Sequence, residues 1–281
     1  MFTREVENFP GFSQGIMGPK LMMELRAQAE KFGTQIIDAD ISKVDLKTKP
    51  FTLWQGEEKY EAQVVLIATG AEAITLGLPQ EKEFLGRGIS TCAVCDAAFF
   101  GEKIVYVVGG GDSACEDGLA LTKFASQVFI IVRRDELRAS KIMQQRVLNH
   151  DKIKILYNTE VKAFSGKTKI EGLTLLNNKD QKEEKVTADG LFYAIGHKPL
   201  SSLFNNQIDT DDQGYILTGL NGLTKTSDSH QLWQNSYPTM TSVKGVFGAG
   251  DVVDFRYRQA VVAAGMGTMA ALDIEKYLEK N

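Results

Sequence analysis

The run TCAVCDAAFF, residues 91–100, places Cys92 and Cys95 in a C-x-x-C pair. That spacing is compatible with half a zinc site, a structural staple or a redox couple. A structural zinc ion takes four ligands. Cys115 stands alone, and His150, His197 and His230 show no ligand spacing, so only half of the usual paired pattern is present. A structural disulfide across so short a loop removes little chain entropy, and a reducing compartment would not preserve it. A dithiol that cycles between two states remains, because C-x-x-C spacing can lower a thiol pKa into the working range. Asp96 follows directly. A carboxyl there could protonate a departing thiolate, although Asp is also ordinary at a turn.

A second candidate is Gly109-Gly110-Gly111-Asp112-Ser113-Ala114, which fits G-x-G-x-x-G/A between an apolar run and a helical one. Gly109 permits the tight turn, Gly111 lets a pyrophosphate approach the backbone, and Ala114 allows close helix–strand packing. The helix start then offers free N–H groups to phosphate. Cys115 lies just inside that helix, where a small buried residue is expected. The next apolar run ends in VRRD. An NAD site wants an acidic residue there, whereas arginine accommodates a 2′-phosphate, so Arg133 and Arg134, with Arg138 one helical turn on, point to NADPH. The competing reading is a solvated helix face of Arg133, Arg138, Lys141 and Arg146, which covers the last two better than the first pair.

NADPH moves two electrons as one hydride, and a flavin is the usual converter between hydride and disulfide. The run GAGDVVDFRYRQA, residues 248–260, offers a place for one. Asp251 ends a glycine-rich turn, where a carboxylate can accept from a ribityl hydroxyl. Arg258, Gln259 and Ala260 open the last helix, whose start favours the electron-rich side of a reduced flavin. On the residues alone, a polar turn followed by a core helix fits this run equally well.

These residues need elements to position them. Residues 17–33 read as a helix, with Pro19 in the first turn, Gly33 at the end and Leu21, Leu25 and Phe32 on one face. TQIID (34–38), ISKVDL (41–46), FTLW (51–54) and AQVVLIATG (62–70) read as strands, with a polar turn at Gln55–Lys59. KIVYVV, QVFIIV and IKILY are strands that alternate with helices, which implies a parallel α/β sheet. A polar hairpin around Asn177–Glu184, the strand GLFYAIGH, the run GVFGAGD and a helix over about Arg258–Leu278 follow. VLIATG (65–70) and FYAIG (192–196) form a weak internal repeat. The glycine loop precedes the second copy, and the matching loop for the first falls ahead of Met1.

Bulk properties narrow the class. A net charge of −4 argues against a nucleic-acid binder. No apolar run approaches the roughly 18 residues that a membrane span needs, and the opening MFTREVENFPGF lacks the layout of a signal peptide. Three cysteines in 281 residues do not make a disulfide scaffold, so a cytoplasmic location is expected.

Taken together, EVENFPGF, ATGA, CAVCD, GGGDSA, VRRDELRASKIMQQR, LFYAIGHKP and GAGDV-x-D-x-x-YRQA-x-x-AAG span nearly the whole chain. In that order they resemble the low-molecular-weight NADPH–thioredoxin reductases of bacteria, fungi and plants. The resemblance implies two Rossmann-like, three-layer α/β nucleotide-binding domains. The NADPH domain (76–199), carrying the C-x-x-C, would be inserted into a discontinuous FAD domain (1–75 and 200–281). It further implies FAD and NADPH as cofactors, thioredoxin as the protein substrate, and a homodimer. Cys95 would face the flavin, Cys92 would attack the thioredoxin disulfide, and Asp96 would be the acid/base. Gly109, Gly111, Ser113, Ala114, Arg133, Arg134 and Arg138 would hold NADPH. Asn8, Ile41, Asp251, Arg258, Gln259 and Ala260 match positions that contact FAD. The linkers near Ile74–Pro79 and Gly196–Leu200 would be hinges for a rotation of the insert.

The chain departs from the family pattern in three places. The first βαβ unit of the FAD domain, with its glycine loop, has no counterpart in this sequence. Ala97 stands where glycine is common. Residues 216–244 are long and polar, and read as a surface insertion. The first departure keeps a second reading in play, an NADPH-binding remnant with weak flavin binding and little activity. A third is a flavin-dependent dithiol oxidase, which has no need of a 2′-phosphate site.

Overall fold

From the N-terminus, strands β1 (Glu5–Val6) and β2 (Ile16–Met17) lead into helix α1 (Gly18–Lys31), followed by β3 (Lys43–Asp45), β4 (Phe51–Gln55), β5 (Glu58–Ala62), β6 (Val65–Ile67) and β7 (Ala71–Ala73). Next come α2 (Glu81–Phe84), β8 (Ile89–Ser90), α3 (Ala93–Asp96), β9 (Ile104–Val108), α4 (Asp112–Leu121), β10 (Gln127–Val132), α5 (Lys141–Leu148) and β11 (Ile153–Tyr157). Strands β12 (Thr159–Ser165), β13 (Gly172–Asn177), β14 (Glu183–Thr187), β15 (Gly190–Tyr193), β16 (His197–Pro199) and β17 (Val246–Gly248) precede the long helix α6 (Ala260–Lys280). This is a computed structural model, and it describes residues 5–221 and 237–280.

The chain divides into two compact units, Met1–Ala29 with Ala73–Gly196, and Glu30–Glu72 with His197–Asn281. The chain crosses between them three times, and two of the crossings, after Glu72 and after Gly196, lie three residues before the boundaries expected from the sequence. The first 29 residues, expected with the flavin segments, cluster with the middle segment instead.

The first unit is built on a parallel sheet of order β11-β10-β9-β15-β8. The apolar runs alternate across it. Val105 and Val107 of β9 join a core with Ala114, Cys115, Leu121 and Val147 from α4 and α5. Tyr106 and Val108 join a second core with Val161, Leu173 and Leu175. The second core lies under the antiparallel sheet β12-β13-β14, which contains the expected polar hairpin. Helices, parallel sheet and meander thus make three layers. Each buried Val, Ile or Leu stabilises them by about 1.5–3 kcal/mol. Gly118 is where helix meets sheet most closely, since a Cβ there would lie 3.0 Å from Ile130 Cδ1.

At the end of the first linker, the buried carboxylate of Glu81 accepts N–H bonds from Leu76 and Gly77, both at 2.9 Å, and the hydroxyl of Tyr193. One side chain therefore braces both linker-facing segments of this unit. Burial, with Glu81 alongside, pushes the Tyr193 phenol well above its ordinary range.

The second unit holds the antiparallel meander β3-β4-β5 and the parallel pair β17-β6. Val44, Leu46, Phe51, Ile67, Ile216, Val246 and Val252 form its main core. Three sequence expectations need correction, two in this unit and one in helix α1. TQIID forms no strand: none of its residues pairs with another strand among those described, and Ile37 is 55% exposed. A β-prone run is not a strand until a neighbour takes its backbone hydrogen bonds. The expected apolar face of α1 is also narrower than its spacing suggests. Leu21 is buried, but Phe32 lies beyond the end of the helix and is 80% exposed.

The third concerns residues 216–244, expected as a surface insertion. Its flanks are core: Ile216, Thr218, Thr239 and Thr241 are all buried. The threonines are polar in sequence but satisfied in place. Thr239 Oγ1 donates to Asp273 at 2.6 Å and Thr241 Oγ1 to the Val246 carbonyl at 2.9 Å. The centre of that stretch, 222–236, with His230, lies outside the described residues.

Candidate active site

Cys92 and Cys95 are joined in a disulfide, with Cα atoms 5.3 Å apart. The bond sits at the start of α3. Cys92 is extended (φ −144°), and its Sγ accepts the Cys95 N–H at 3.2 Å. In the reduced pair, that N–H favours a thiolate on Cys92. Ser90, at the end of β8, organises the surroundings. Its Oγ accepts the Cys92 N–H at 3.1 Å and donates to Asp96 Oδ2 at 2.6 Å. The Asp96 N–H in turn donates to the Cys92 carbonyl at 3.2 Å. Burial raises the Asp96 carboxyl above the usual carboxylate range; the Ser90 hydrogen bond opposes the shift and Glu7 adds to it. A carboxyl held in this way can keep a proton within one turn of two sulfurs. Ser90 carries no signal in the sequence beyond its proximity to the pair. Ala97, unusual for the family, takes φ −55° and ψ −36°, a right-handed conformation that needs no glycine.

The glycine loop joins β9 to α4 at the carboxyl edge of the parallel sheet. Gly109 has φ +149°, and a Cβ there would lie 2.5 Å from the Ala194 carbonyl oxygen and 2.9 Å from Ala114 Cβ. Its glycine is thus demanded by the fold. Gly111 differs: its φ is −96° and a Cβ would meet nothing within 4 Å. The protein itself leaves that space open, as a pyrophosphate site requires. Ser113 is exposed at the helix start and Ala114 is buried beneath it.

Arg133, Arg134 and Arg138 are all exposed on the adjoining loop. Their backbone is fixed at many points. Asn158 N–H donates to the Arg134 carbonyl at 2.8 Å, Asn178 Nδ2 to the Arg133 carbonyl at 3.2 Å, and Gln144 Nε2 to the Leu137 and Ala139 carbonyls at 3.1 and 2.8 Å. The backbone carrying the arginines is also tied to the glycine loop, where the Gly110 carbonyl accepts the Arg138 N–H at 2.7 Å.

In the second unit, Asp251 and the turn after it lead into α6. Asp254, buried and given no role in the sequence beyond its place in the GAGDV-x-D motif, accepts the N–H groups of Arg256, Tyr257 and Arg258 at 2.9, 2.9 and 2.7 Å. This clamp holds Arg258 at φ +49°, directly before Gln259 and the first helical residue, Ala260. Burial raises the Asp251 carboxyl; Asp254 adds to the shift and Arg258 opposes it. His197 belongs to the same neighbourhood. Its Nδ1 is buried without a hydrogen-bond partner, and burial, with Arg258 nearby, pulls its pKa down to about 4. The orphaned buried nitrogen of His197, the half-buried carboxyl of Asp251 and the start of α6 fit a bound polar cofactor such as a flavin. Ile41 is half-buried against the core of this unit, whereas Asn8 is exposed and lies in the other unit.

Comparison with known proteins decides the family. Residues 3–267 match the sequence profile of the pyridine nucleotide-disulphide oxidoreductases. The thioredoxin reductase of Debaryomyces hansenii is 49% identical over 285 residues, covering 99% of this chain and 84% of that protein. Thioredoxin reductase 1 of Saccharomyces cerevisiae is 47% identical over 283 residues, covering 98% and 84%. The solved structure of thioredoxin reductase from Giardia duodenalis superposes with a TM-score of 0.85 at 41% identity, covering 99% of this chain and 86% of that one. The chain belongs to this family.

As a member of the pyridine nucleotide-disulphide oxidoreductases, it is an enzyme that couples a nicotinamide nucleotide to a disulfide. The family's cofactor pair is FAD and NADPH, and the turns before α4 and α6 differ in kind. One is an open glycine loop with arginines, the other an aspartate-clamped helix start. Among the described residues, no helix is long and apolar enough to cross a membrane.

Proposed function

We propose that the chain is an NADPH-dependent thioredoxin-disulfide reductase. The observation that carries this reading is the Cys92–Cys95 disulfide with Ser90 holding both Cys92 and Asp96. Gly109, Gly111, Ser113 and Ala114 receive the NADPH pyrophosphate, and Arg133, Arg134 and Arg138 take the 2′-phosphate. Asn8, Ile41, Asp251, Arg258, Gln259 and Ala260 contact FAD. Bound FAD supplies the conversion of a hydride into the electron pair that a disulfide accepts. By resemblance, Cys95 is the sulfur that faces the flavin.

In the exchange step, the Cys92 thiolate attacks one sulfur of the thioredoxin disulfide, and the other sulfur leaves as a thiolate. Asp96 delivers the proton it takes up. The Cys95 thiolate then attacks the Cys92 sulfur, which re-forms the Cys92–Cys95 bond and expels the second thioredoxin sulfur as a thiolate that takes its proton from solvent. In this reading, residues 76–199 are the NADPH domain and 1–75 with 200–281 the FAD domain. The protein is a cytoplasmic homodimer, and the linkers at Ile74–Pro79 and Gly196–Leu200 act as hinges. Gly77 and Gly196, at φ +70° and +109°, suit that role.

The test is Cys95→Ser in the FAD-supplemented chain. Thioredoxin reduction should fall by about 10³-fold or more, while NADPH still bleaches the visible flavin band. Normal thioredoxin reduction by this variant would refute the assignment, and a wild-type chain that retains no flavin colour after desalting would refute the FAD reading.

A further inference from the structure

Asp112 stands inside the glycine motif, and its carboxylate is bonded to Ser140, just beyond the arginine loop. Its Oδ1 accepts both the Ser140 N–H, at 3.0 Å, and the Ser140 hydroxyl, at 2.7 Å. Two residues earlier, the Gly110 carbonyl accepts the N–H groups of Arg138 and Ala139 at 2.7 and 3.1 Å. Two loops 28 residues apart in sequence are therefore bolted together by four hydrogen bonds from adjoining positions. Ser140 immediately precedes α5 and follows the segment that carries Arg133, Arg134 and Arg138. The Ser140 bonds also hold the Asp112 carboxyl below the usual range, so it remains a charged acceptor at neutral pH.

We propose that Asp112 and Ser140 form a latch that sets the distance between the pyrophosphate loop and the 2′-phosphate arginines. Asp112 is then a positioning residue for NADPH selectivity and not a ligand of the nucleotide. This rests on the reading of the arginines as a 2′-phosphate site. The physical basis is that two phosphates on one rigid nucleotide are gripped together only if their two loops hold a fixed spacing. A carboxylate this close to a phosphate site otherwise repels the ligand, so its place there calls for a structural return.

The experiment is calorimetric titration of the full chain with 2′,5′-ADP and with 5′-ADP, which needs no turnover. Wild type should prefer 2′,5′-ADP. Asp112→Ala should cut that preference about five- to tenfold, on the scale of the hydrogen bonds lost. Asp112→Asn keeps the acceptor oxygen and removes the charge, so it should retain the preference. Ser140→Ala loses one of the two bonds and should lower the preference by a smaller factor. If Asp112→Ala does not fold, Ser140→Ala decides: an unchanged preference there overturns the latch. It is likewise overturned if folded Asp112→Ala keeps the wild-type preference, or if Asp112→Asn falls as far as Asp112→Ala. A wild-type chain that binds both nucleotides equally overturns the arginine reading, and the latch with it.

Discussion

In the first unit, β9 runs into the start of α4 through three glycines, and in the second, β17 runs into the start of α6 through a clamped turn. The glycine loop is shaped by the absence of side chains. Gly109 accepts a φ of +149° that leaves no room for a Cβ. The second turn is shaped by a side chain, because buried Asp254 takes three successive N–H groups and forces Arg258 to φ +49°. The first solution leaves the helix start bare for a phosphate. The second surrounds it with charge, from Asp251, Asp254 and Arg258. A helix start is therefore not one kind of site: its preceding turn decides what it can hold.

The comparison breaks most sharply at Gly109. Gly109→Ala should destabilise the first unit by about 3 kcal/mol or more, since left-handed strain and a carbonyl clash act together. Gly250→Ala, at φ +75° with its nearest obstacle 3.6 Å away, should cost only about 1 kcal/mol. Gly111→Ala should leave stability unchanged and still lose NADPH affinity. Urea denaturation with nucleotide titration separates the three; equal losses for Gly109→Ala and Gly250→Ala would remove the distinction. In the second unit, Asp254→Ala removes three hydrogen bonds from a partly exposed turn and should cost about 1–2 kcal/mol. If the clamp shapes the flavin-facing turn, the same variant should also weaken flavin retention, and a variant that loses stability but holds FAD as wild type does would confine Asp254 to folding.

Much of the first unit was legible in the sequence. IVYVV and VFIIV are uninterrupted apolar runs, and a strand buried on both faces needs little else to declare itself, while the edge strand IKILY carries Lys154 on its open side. The glycine loop and the cysteine pair carry their chemistry in residue type and spacing. The second unit was less legible because its features depend on partners distant in sequence. VLIATG and LFYAIG look alike, but β15 lies between two strands, whereas β6 pairs with β17 alone among the described residues and leaves Leu66 39% exposed. TQIID has the composition of a strand and lacks the neighbour. Thr239 and Thr241 look like loop residues, and only their hydrogen bonds to Asp273 and Val246 make them core. Asp254, Ser90 and the Asp112–Ser140 latch escaped for the same reason: a polar residue announces its role only through the donors that reach it.

The smallest effects distinguish the units by the sign of their pH dependence. His197, in the second unit, has its pKa pulled from 6.5 down to about 4. Between those values the unfolded chain binds the proton and the folded one does not, so stability is full above pH 6.5 and falls as pH drops toward 4. With the ring partly open to solvent, the loss should be about 1 kcal/mol between pH 7 and pH 5. Asp96, in the first unit, has its carboxyl pKa raised. There the folded state holds the proton longer, so stability is greatest in acid and declines as pH rises through the folded pKa. His197→Gln should therefore flatten the acid limb of the stability profile, while Asp96→Asn should remove the opposing decline and leave the protein slightly more stable at pH 7. Urea midpoints measured from pH 4.5 to 8 read both slopes. If both variants shifted the profile in the same direction, burial would not be governing the two groups in the way their surroundings imply.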